Sequence, residues 1–542
     1  MATIHDAIVI GAGHNGLVTA FYLAKAGLKP LVLERRPVVG GAAITDEFHP
    51  GFRCSTLAHA AGPLAPQIVR DMHLERHGLE TIHPPVRVLA SCPDGRALLL
   101  YDDPRKSAEA IARFSKKDAE KWPEFYQVVA RVAAVLRHVL AQTPPSIDRP
   151  SSRDLWHLVR TGRALRGLGR KDMFRLLRWG PMAVADLVGE WFETEILRAT
   201  VAARGIFGAH LGPWSAGSSA LLLLRAAADP HPAGGGAFVK GGLGSLTRAM
   251  AEAARSAGAE IRTGAEIERI TVQEGRAVGV VLTSGEEIPS KLVISNADPR
   301  RTFLRFIEPV HLDPSFLAKM QNYRSMGSVA KVNLALAGLP RFTALRDGND
   351  DLKAAATTDA TGALAGRIHI GPEIDYLERA FDDAKYGGCS RQPVLDITIP
   401  SVTDPSLAPA GQHVMSIYVQ FAPFNLKSSE WNAQRDALGD TVIKTLAEYA
   451  PEIPDLVLSR QVITPLDLEQ EYGLTGGHIY HGELALDQLF TMRPLLGWAR
   501  YATPTEGLYL CGSGTHPGSG LTGLSGANAA REILKAWQKQ RR

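Results

Sequence analysis

Asp6-Ala7-Ile8-Val9-Ile10-Gly11-Ala12-Gly13-His14-Asn15-Gly16 decides how the rest of the chain is read. Residues 6–10 form a short, almost wholly apolar run rich in β-branched side chains, the pattern of a parallel strand buried on both faces. The glycines follow at once, then the helix-like stretch Leu17 to Ala26, stopped by Gly27. A second apolar run, Pro30-Leu31-Val32-Leu33, ends on Glu34. Together these make a βαβ unit carrying G-x-G-x-x-G, with an acid eighteen positions beyond the last glycine. Each part has a physical task. Gly11 permits the tight turn, Gly13 lets backbone approach a pyrophosphate, and Gly16 lets the helix pack closely on the strand. The helix N-terminus offers free N–H groups and a partial positive charge to phosphates. Glu34 can accept hydrogen bonds from a ribose diol. A bare glycine motif is weak, but with strands, helix and acid in register the unit predicts a dinucleotide site.

Working outward, Arg35-Arg36-Pro37-Val38-Val39-Gly40-Gly41-Ala42-Ala43 sets a glycine pair six residues past the acid. At the far end, Gly507 to Gly523 reads as a strand, a glycine-rich loop and the start of a final helix. In both places the chain resembles the flavoproteins of the phytoene desaturase and amine oxidase superfamily. Its layout is most similar to the branch holding the carotenoid ketolases, and the resemblance runs almost end to end. What it implies is FAD as cofactor. Carried onto this sequence, it implies cofactor contacts from Gly11, Gly13, His14, Asn15 and Gly16, from Glu34 and Arg35, and from Gly40, Gly41 and Ala42. It adds the backbone at Ile267 against the adenine, and Gly512, Ser513, Gly520, Leu521 and Thr522 in the closing loop. For Ile267, a plain β-meander would give the same sequence pattern. Three positions depart from the family: Ala42-Ala43 where many relatives carry an arginine, Ser513 where many carry an acid, and Ser519 where glycine is typical. Those changes bear on the ribityl contacts and on flavin tuning.

The implied fold class is α/β. A Rossmann-like FAD-binding domain, with a parallel sheet and a βαβ start, is expected to be discontinuous over 1–75, 235–310 and 495–542. An α+β substrate domain takes 76–234, mainly helical, and 311–494, with antiparallel sheet in 325–425. At 542 residues the chain has room for two to four domains. Its 45% apolar content is ordinary. A net charge of +4 is too mild to point to nucleic acid, and no aromatic-plus-basic motif suggests it, so no nucleic-acid partner is expected. Cys54, Cys92, Cys389 and Cys511 are scattered and make no C-x-x-C pair. That argues for a reducing compartment, against a metal site, and against disulfide exchange beside a flavin. The first strand begins by about residue 5, leaving no room for a targeting segment. No window nears the eighteen apolar residues of a spanning helix. The expected location is the cytoplasm, and the oligomeric state is left open, with a homodimer among the options.

Inside the chain, Val86 to Tyr101 alternates like a hairpin around Pro93-Asp94-Gly95. A helix from about Pro104 to Ala141 is expected in two pieces around Trp122-Pro123. Residues 153–179 are unusual in charge: Arg153, Arg160, Arg163, Arg166, Arg170, Lys171, Arg175 and Arg178 against Asp154 and Asp172, interleaved with Trp156, Leu158, Phe174, Leu177 and Trp179. Such a segment suits a peripheral hold on an anionic membrane. A lid whose arginines snorkel over core residues reads the same way. Gly234-Gly235-Gly236 follows no apolar strand, so a second dinucleotide site is not expected there.

Three groups are candidates for the chemistry. The turn Pro517 to Gly523 precedes the last helix, whose N–H groups and dipole would favour a reduced, anionic flavin by about 0.3–1 kcal/mol. Gly327-Ser328-Val329-Ala330-Lys331-Val332 resembles the amine oxidase strand whose lysine holds a water at the flavin, making Lys331 a catalytic candidate; the alternative is an edge strand with Lys331 in solvent. Tyr480 and His481, with His478, Gln488 and Arg493, lie where family members bring substrate residues over the flavin. The expected activity is hydride transfer from a hydrophobic small-molecule substrate, of carotenoid or isoprenoid type by resemblance, as in a desaturase or ketolase. An oxidase of a small amine or alcohol, and a flavoprotein with a mainly regulatory or binding role, are the alternatives.

Overall fold

Along Ala7–Ile10 the side chains alternate between two faces, and both faces are covered. The computed structural model describes residues 5–59, 64–146, 150–345, 360–518 and 520–540. In it this strand is the centre of a five-stranded parallel sheet ordered Leu508–Leu510, Val293–Ser295, Ala7–Ile10, Pro30–Leu33 and Glu260–Arg262. Val9 stands opposite Ile294 on one side and Val32 on the other. Ala7 and Val9 pack into helices His14–Lys25, Leu243–Ser256 and Leu524–Gln540. Ile8 and Ile10 pack against the antiparallel meander Ile267–Gln273, Arg276–Leu282 and Glu287–Pro289. A Cβ on Gly16 would lie 2.2 Å from the Gly11 carbonyl oxygen, so only glycine lets the opening helix sit this close. The class is α/β, and the parallel sheet is drawn from three remote parts of the sequence.

A seven-stranded sheet forms the second body: Val457–Ile463, Val329–Leu336, His413–Gln420, Val394–Thr398, Arg367–Ile370, Val86–Ser91 and Ala97–Tyr101. All neighbours are antiparallel except Arg367–Ile370 with Val86–Ser91. It is therefore mixed, and it reaches beyond residues 325–425 at both edges. One face carries a helical layer whose core includes Trp122, Phe125, Trp191 and Leu197. The other face is covered by helix Trp431–Ala447.

The helix break falls elsewhere than expected. Helices Pro104–Ile111 and Lys116–Leu140 are separated at residues 112–115, and Pro123 lies inside the second. Ser115 caps that helix by accepting from the Asp118 N–H at 3.2 Å, which makes the turn before it the favourable place to stop. Residues 152–179 form two helices, Ser152–Gly167 and Gly169–Trp179, parted where Gly169 takes a φ of 76°. Among the described residues no helix is long and apolar enough to cross a membrane.

Candidate functional site

The glycine turn is built as bare backbone. Gly11 leaves the first strand at a φ of 92°, and a Cβ on Gly13 would stand 2.9 Å from Nδ2 of Asn296. Glu34, at the end of the second strand, is buried and accepts from the Ala12 N–H at 2.8 Å and the Arg36 N–H at 3.0 Å. The acid therefore braces the glycine turn as well as facing the site. Asn15 ties the opening helix to the far end of the chain: its Nδ2 donates to Ser513 Oγ at 3.2 Å, and its Oδ1 accepts from the Gly526 N–H at 3.3 Å.

Beside this turn opens a cavity of about 400 Å³, walled by both sheets. Of the expected cofactor residues, Gly11, Gly13, His14, Glu34, Arg35, Gly40, Gly41, Ala42, Ile267, Ser513, Gly520 and Leu521 line it. Asn15, Gly16, Gly512 and Thr522 stand behind the wall. Gly512 is pressed on Asn296, where a Cβ would come within 2.6 Å of a carbonyl oxygen, and Thr522 Oγ1 accepts from the Leu524 N–H at 3.3 Å. In the turn Pro517 to Gly523, Ser519 lies outside the described residues.

Five cavity residues carry buried polar atoms without a hydrogen-bond partner among the described residues: Arg36 Nη1, Arg367 Nε, His14 Nε2, His481 Nδ1 and both nitrogens of His59. Native proteins rarely leave such atoms unpaired. A dinucleotide with a flavin offers phosphate, ribose and ring acceptors for them, and the glycine cradle leaves room for its phosphates. The residues present therefore fit FAD. Burial, with His481 adding to it, lowers the His14 pKa to about 4, and burial with the nearby Arg493 lowers that of His481 to about 4. Both imidazoles are neutral at physiological pH.

Tyr480 and His481 are on the wall, and His481 holds a φ of 59°, a left-handed conformation uncommon for a side chain of this size. Arg493 keeps them there. It is fully buried and donates to the carbonyls of Tyr480 at 2.7 Å, Ser513 at 2.8 Å and Glu483 at 3.1 Å. His478 and Gln488 act in the same framework and do not line the cavity: His478 Nδ1 accepts from the Tyr480 N–H at 3.2 Å, and Gln488 Oε1 from the Arg324 N–H at 2.8 Å.

Lys331 is 1% exposed on an interior strand, between His413–Gln420 and Val457–Ile463, so the edge-strand alternative does not hold. Its Nζ has no hydrogen-bond partner among the described residues and lies 4.2 Å from the centre of the Tyr418 ring. Tyr418, rather than Lys331 itself, faces the cavity. Burial lowers the Lys331 pKa to about 7. The same ring stacks on His59 at 4.3 Å. His59 Nδ1 is 3.7 Å from Asp396, which Arg367 holds at 2.7 Å. Burial pulls the His59 pKa to about 3. Burial acts to raise that of Asp396, but Arg367 and His59 hold it well below the usual carboxylate range.

His59, Arg204, Phe207, Arg225, Asp229, Asn296, Arg367, Asp396 and Tyr418 are wall residues that the sequence did not single out. Arg225 Nη2 reaches the Tyr480 hydroxyl at 3.4 Å, and its guanidinium lies over the Phe207 and Tyr480 rings. Neither Arg204 nor Arg225 has a carboxylate within 4 Å among the described residues; Arg204 donates to the carbonyls of Asp229 at 2.7 Å and Arg225 at 2.9 Å.

Comparison with known proteins identifies the family. The sequence model of the family described as flavin containing amine oxidoreductase matches residues 16–534. The chain is 36% identical to pyridine nucleotide-disulfide oxidoreductase domain-containing protein 2 of Rattus norvegicus, covering 98% of this chain and 93% of that protein. It is 29% identical to a limonene dehydrogenase polypeptide of Castellaniella defragrans, covering 98% and 94%. Among solved structures, a putrescine oxidase variant redesigned in its cofactor binding matches with a TM-score of 0.60 at 14% identity, covering 99% of each chain, a likeness of fold. The four cysteines here are unpaired.

Proposed function

Because the chain belongs to the family of flavin-containing amine oxidoreductases and is an FAD-dependent oxidoreductase, we propose that it dehydrogenates a predominantly apolar, isoprenoid-type substrate, in the manner of a desaturase or ketolase. The FAD that the cavity residues would hold would supply the acceptor for a hydride from the substrate carbon. The observation that carries the reading is the continuous cavity running from the Glu34-braced glycine turn to the aromatic wall of Phe207, Tyr418 and Tyr480. The glycine turn, Glu34 and Arg36 would hold the dinucleotide half. His14 and His481, as neutral imidazoles, offer uncharged hydrogen bonds there. The aromatic side chains of Phe207, Tyr418 and Tyr480 on the wall would give an apolar chain a surface to pack on and exclude water from the reacting carbon. The proton that leaves with the hydride needs a protein acceptor. Lys331, held near 7 by burial behind the Tyr418 ring, is the candidate to take it. The limonene dehydrogenase relative, and the resemblance to phytoene desaturases, favour an isoprenoid.

A second reading rests on Arg204, Arg225 and Arg367 at the cavity wall. Guanidinium groups facing a pure hydrocarbon are poorly matched, and they repel an ammonium ion. They suit a substrate whose apolar body ends in an oxygen function, an alcohol or an acid, better than an amine.

The test is anaerobic bleaching of the bound flavin by a panel of donors. Terpenoid hydrocarbons, terpenoid alcohols, fatty acids and alkylamines are offered separately. Reduction by the first class supports the leading reading, and by the second or third the alternative. Reduction by alkylamines alone, with hydrogen peroxide released in air, overturns both.

A further inference from the structure

Helix Ser152–Gly167 is anomalous for a globular protein because none of its apolar residues is buried. What holds it is polar. Ser151 and Asp154 make a reciprocal capping box, and Asp154 pairs with Arg500 at 3.0 Å. Its apolar residues Leu155, Trp156, Leu158 and Val159 are left exposed, and so are Phe174 and Leu177 on the following helix. Trp156 is 58% exposed and Leu177 66%. Isolated exposed apolar residues need no explanation, but six on two consecutive helices mark an interaction surface.

The charge around them has one sign. Arg160, Arg163, Arg166 and Arg170 are exposed and have no carboxylate within 4 Å among the described residues. Arg160 and Arg170 lie over the rings of Trp156 and Phe174. The acids of the segment are turned inward. Asp154 is taken by Arg500, and Asp172 by Arg131 at 2.6 Å and Arg175 at 2.9 Å. Arg178 is paired with Glu190 and Lys171 lies 3.5 Å from Glu124, so those cations are partly spent.

We propose that these two helices seat the protein on the surface of an anionic lipid bilayer. Two features argue for this occupant over a second copy of the chain or a nucleic acid. A symmetric contact would bring four unpaired arginines against the same four, whereas anionic headgroups neutralise them. Bulky aliphatic residues such as Leu155, Val159 and Leu177 gain from acyl chains and not from phosphates and bases. The inference is independent of which substrate the cavity takes.

The experiment uses the full flavin-loaded protein and sedimentation with vesicles. Vesicles of phosphatidylcholine alone are compared with vesicles carrying about a third phosphatidylserine. Binding only to the anionic vesicles is expected, weakening as salt rises. Arg163→Gln with Arg166→Gln should reduce the partition coefficient about thirtyfold, from about 1 kcal/mol for each surface arginine. Leu177→Ser should reduce it severalfold, and brominated acyl chains should quench a part of the tryptophan emission that is absent in Trp156→Phe. Unchanged flavin absorbance in each variant shows that the fold is retained. Equal binding to both vesicle types, anionic binding that ignores these substitutions, or a concentration-dependent dimer that they dissolve would each overturn the proposal.

Discussion

The ammonium of Lys331 sits 4.2 Å above the Tyr418 ring and meets no other partner among the described residues, in the interior of a seven-stranded sheet. The ring face offers it some electrostatic comfort, worth on the order of 2 kcal/mol when dry, which is less than the desolvation of a full charge. Its folded pKa of about 7 lies below the 10.5 of a free lysine. Between those values the unfolded chain carries the proton and the folded one does not, so stability rises with pH across that window. Below pH 7 the penalty is present in full. Lys331→Met should therefore raise stability at pH 6.5 by a few kcal/mol (about 1.4 kcal/mol for each tenfold change) and by little near pH 10.5. Urea unfolding at several pH values measures this. The same variant should keep its FAD and slow flavin reduction or reoxidation about tenfold or more; stopped-flow rates equal to those of the wild type would remove the lysine from the chemistry.

Glu34 has two tasks, and substitution should separate from them only with loss of cofactor. Glu34→Ala removes the acceptor of the Ala12 and Arg36 N–H groups, which lie 2.8 and 3.0 Å away. With hydrogen bonds to a charged group worth about 1.5–3 kcal/mol each, FAD should bind at least tenfold more weakly. The ratio of flavin to protein absorbance after gel filtration reads it. Gly13→Val, which would drive a branched side chain into Asn296, should leave a colourless protein.

Arg493 is a cationic knot of carbonyls with no acid beside it among the described residues. Arg493→Lys supplies at most three donors in place of the guanidinium fork. Loss of the bonds to Tyr480, Ser513 and Glu483 should cost about 2–4 kcal/mol and alter the visible circular dichroism of the flavin, because Tyr480, His481 and Ser513 share one wall. A variant with wild-type melting and an unchanged flavin spectrum would contradict the positioning role.

Asp396 is held below the carboxylate range by Arg367 and His59. Its stabilising contribution is fully present above about pH 4 and is lost as pH falls further, since protonation breaks the pair. Asp396→Asn should destabilise by about 3–5 kcal/mol at pH 7, leaving Arg367 buried beside a neutral partner. The difference from wild type should shrink below pH 4. Melting temperatures from pH 3 to 8 decide it.

The βαβ start of the parallel sheet and most of the glycine cradle were legible because both are local: strand, turn, helix and acid fall within thirty residues and obey backbone geometry. The substrate end was not legible in the same way. Lys331 is interior only because Val457–Ile463 pairs alongside it, and that strand, with Arg460 and Gln461 in the middle, lacks a clear alternating pattern. His59 acquires its meaning from Asp396 and Tyr418, more than three hundred residues away. Asn296, which shapes the glycine turn, follows a strand in a different third of the chain. Pro123 shows the opposite error, a local signal overridden when Ser115 offered a better cap. In residues 152–179 the periodicity showed a basic apolar segment, but Asp154 with Arg500, and Asp172 with Arg131, decide which charges stay free.

The stitching of Asn15 to Ser513 and Gly526 has a temporal consequence. On a ribosome the glycine turn emerges early, whereas the partners that fasten it follow 498 and 511 residues later. Cofactor loading must wait until translation has passed them, and a message cut short before residue 513 would yield a chain unable to keep its colour.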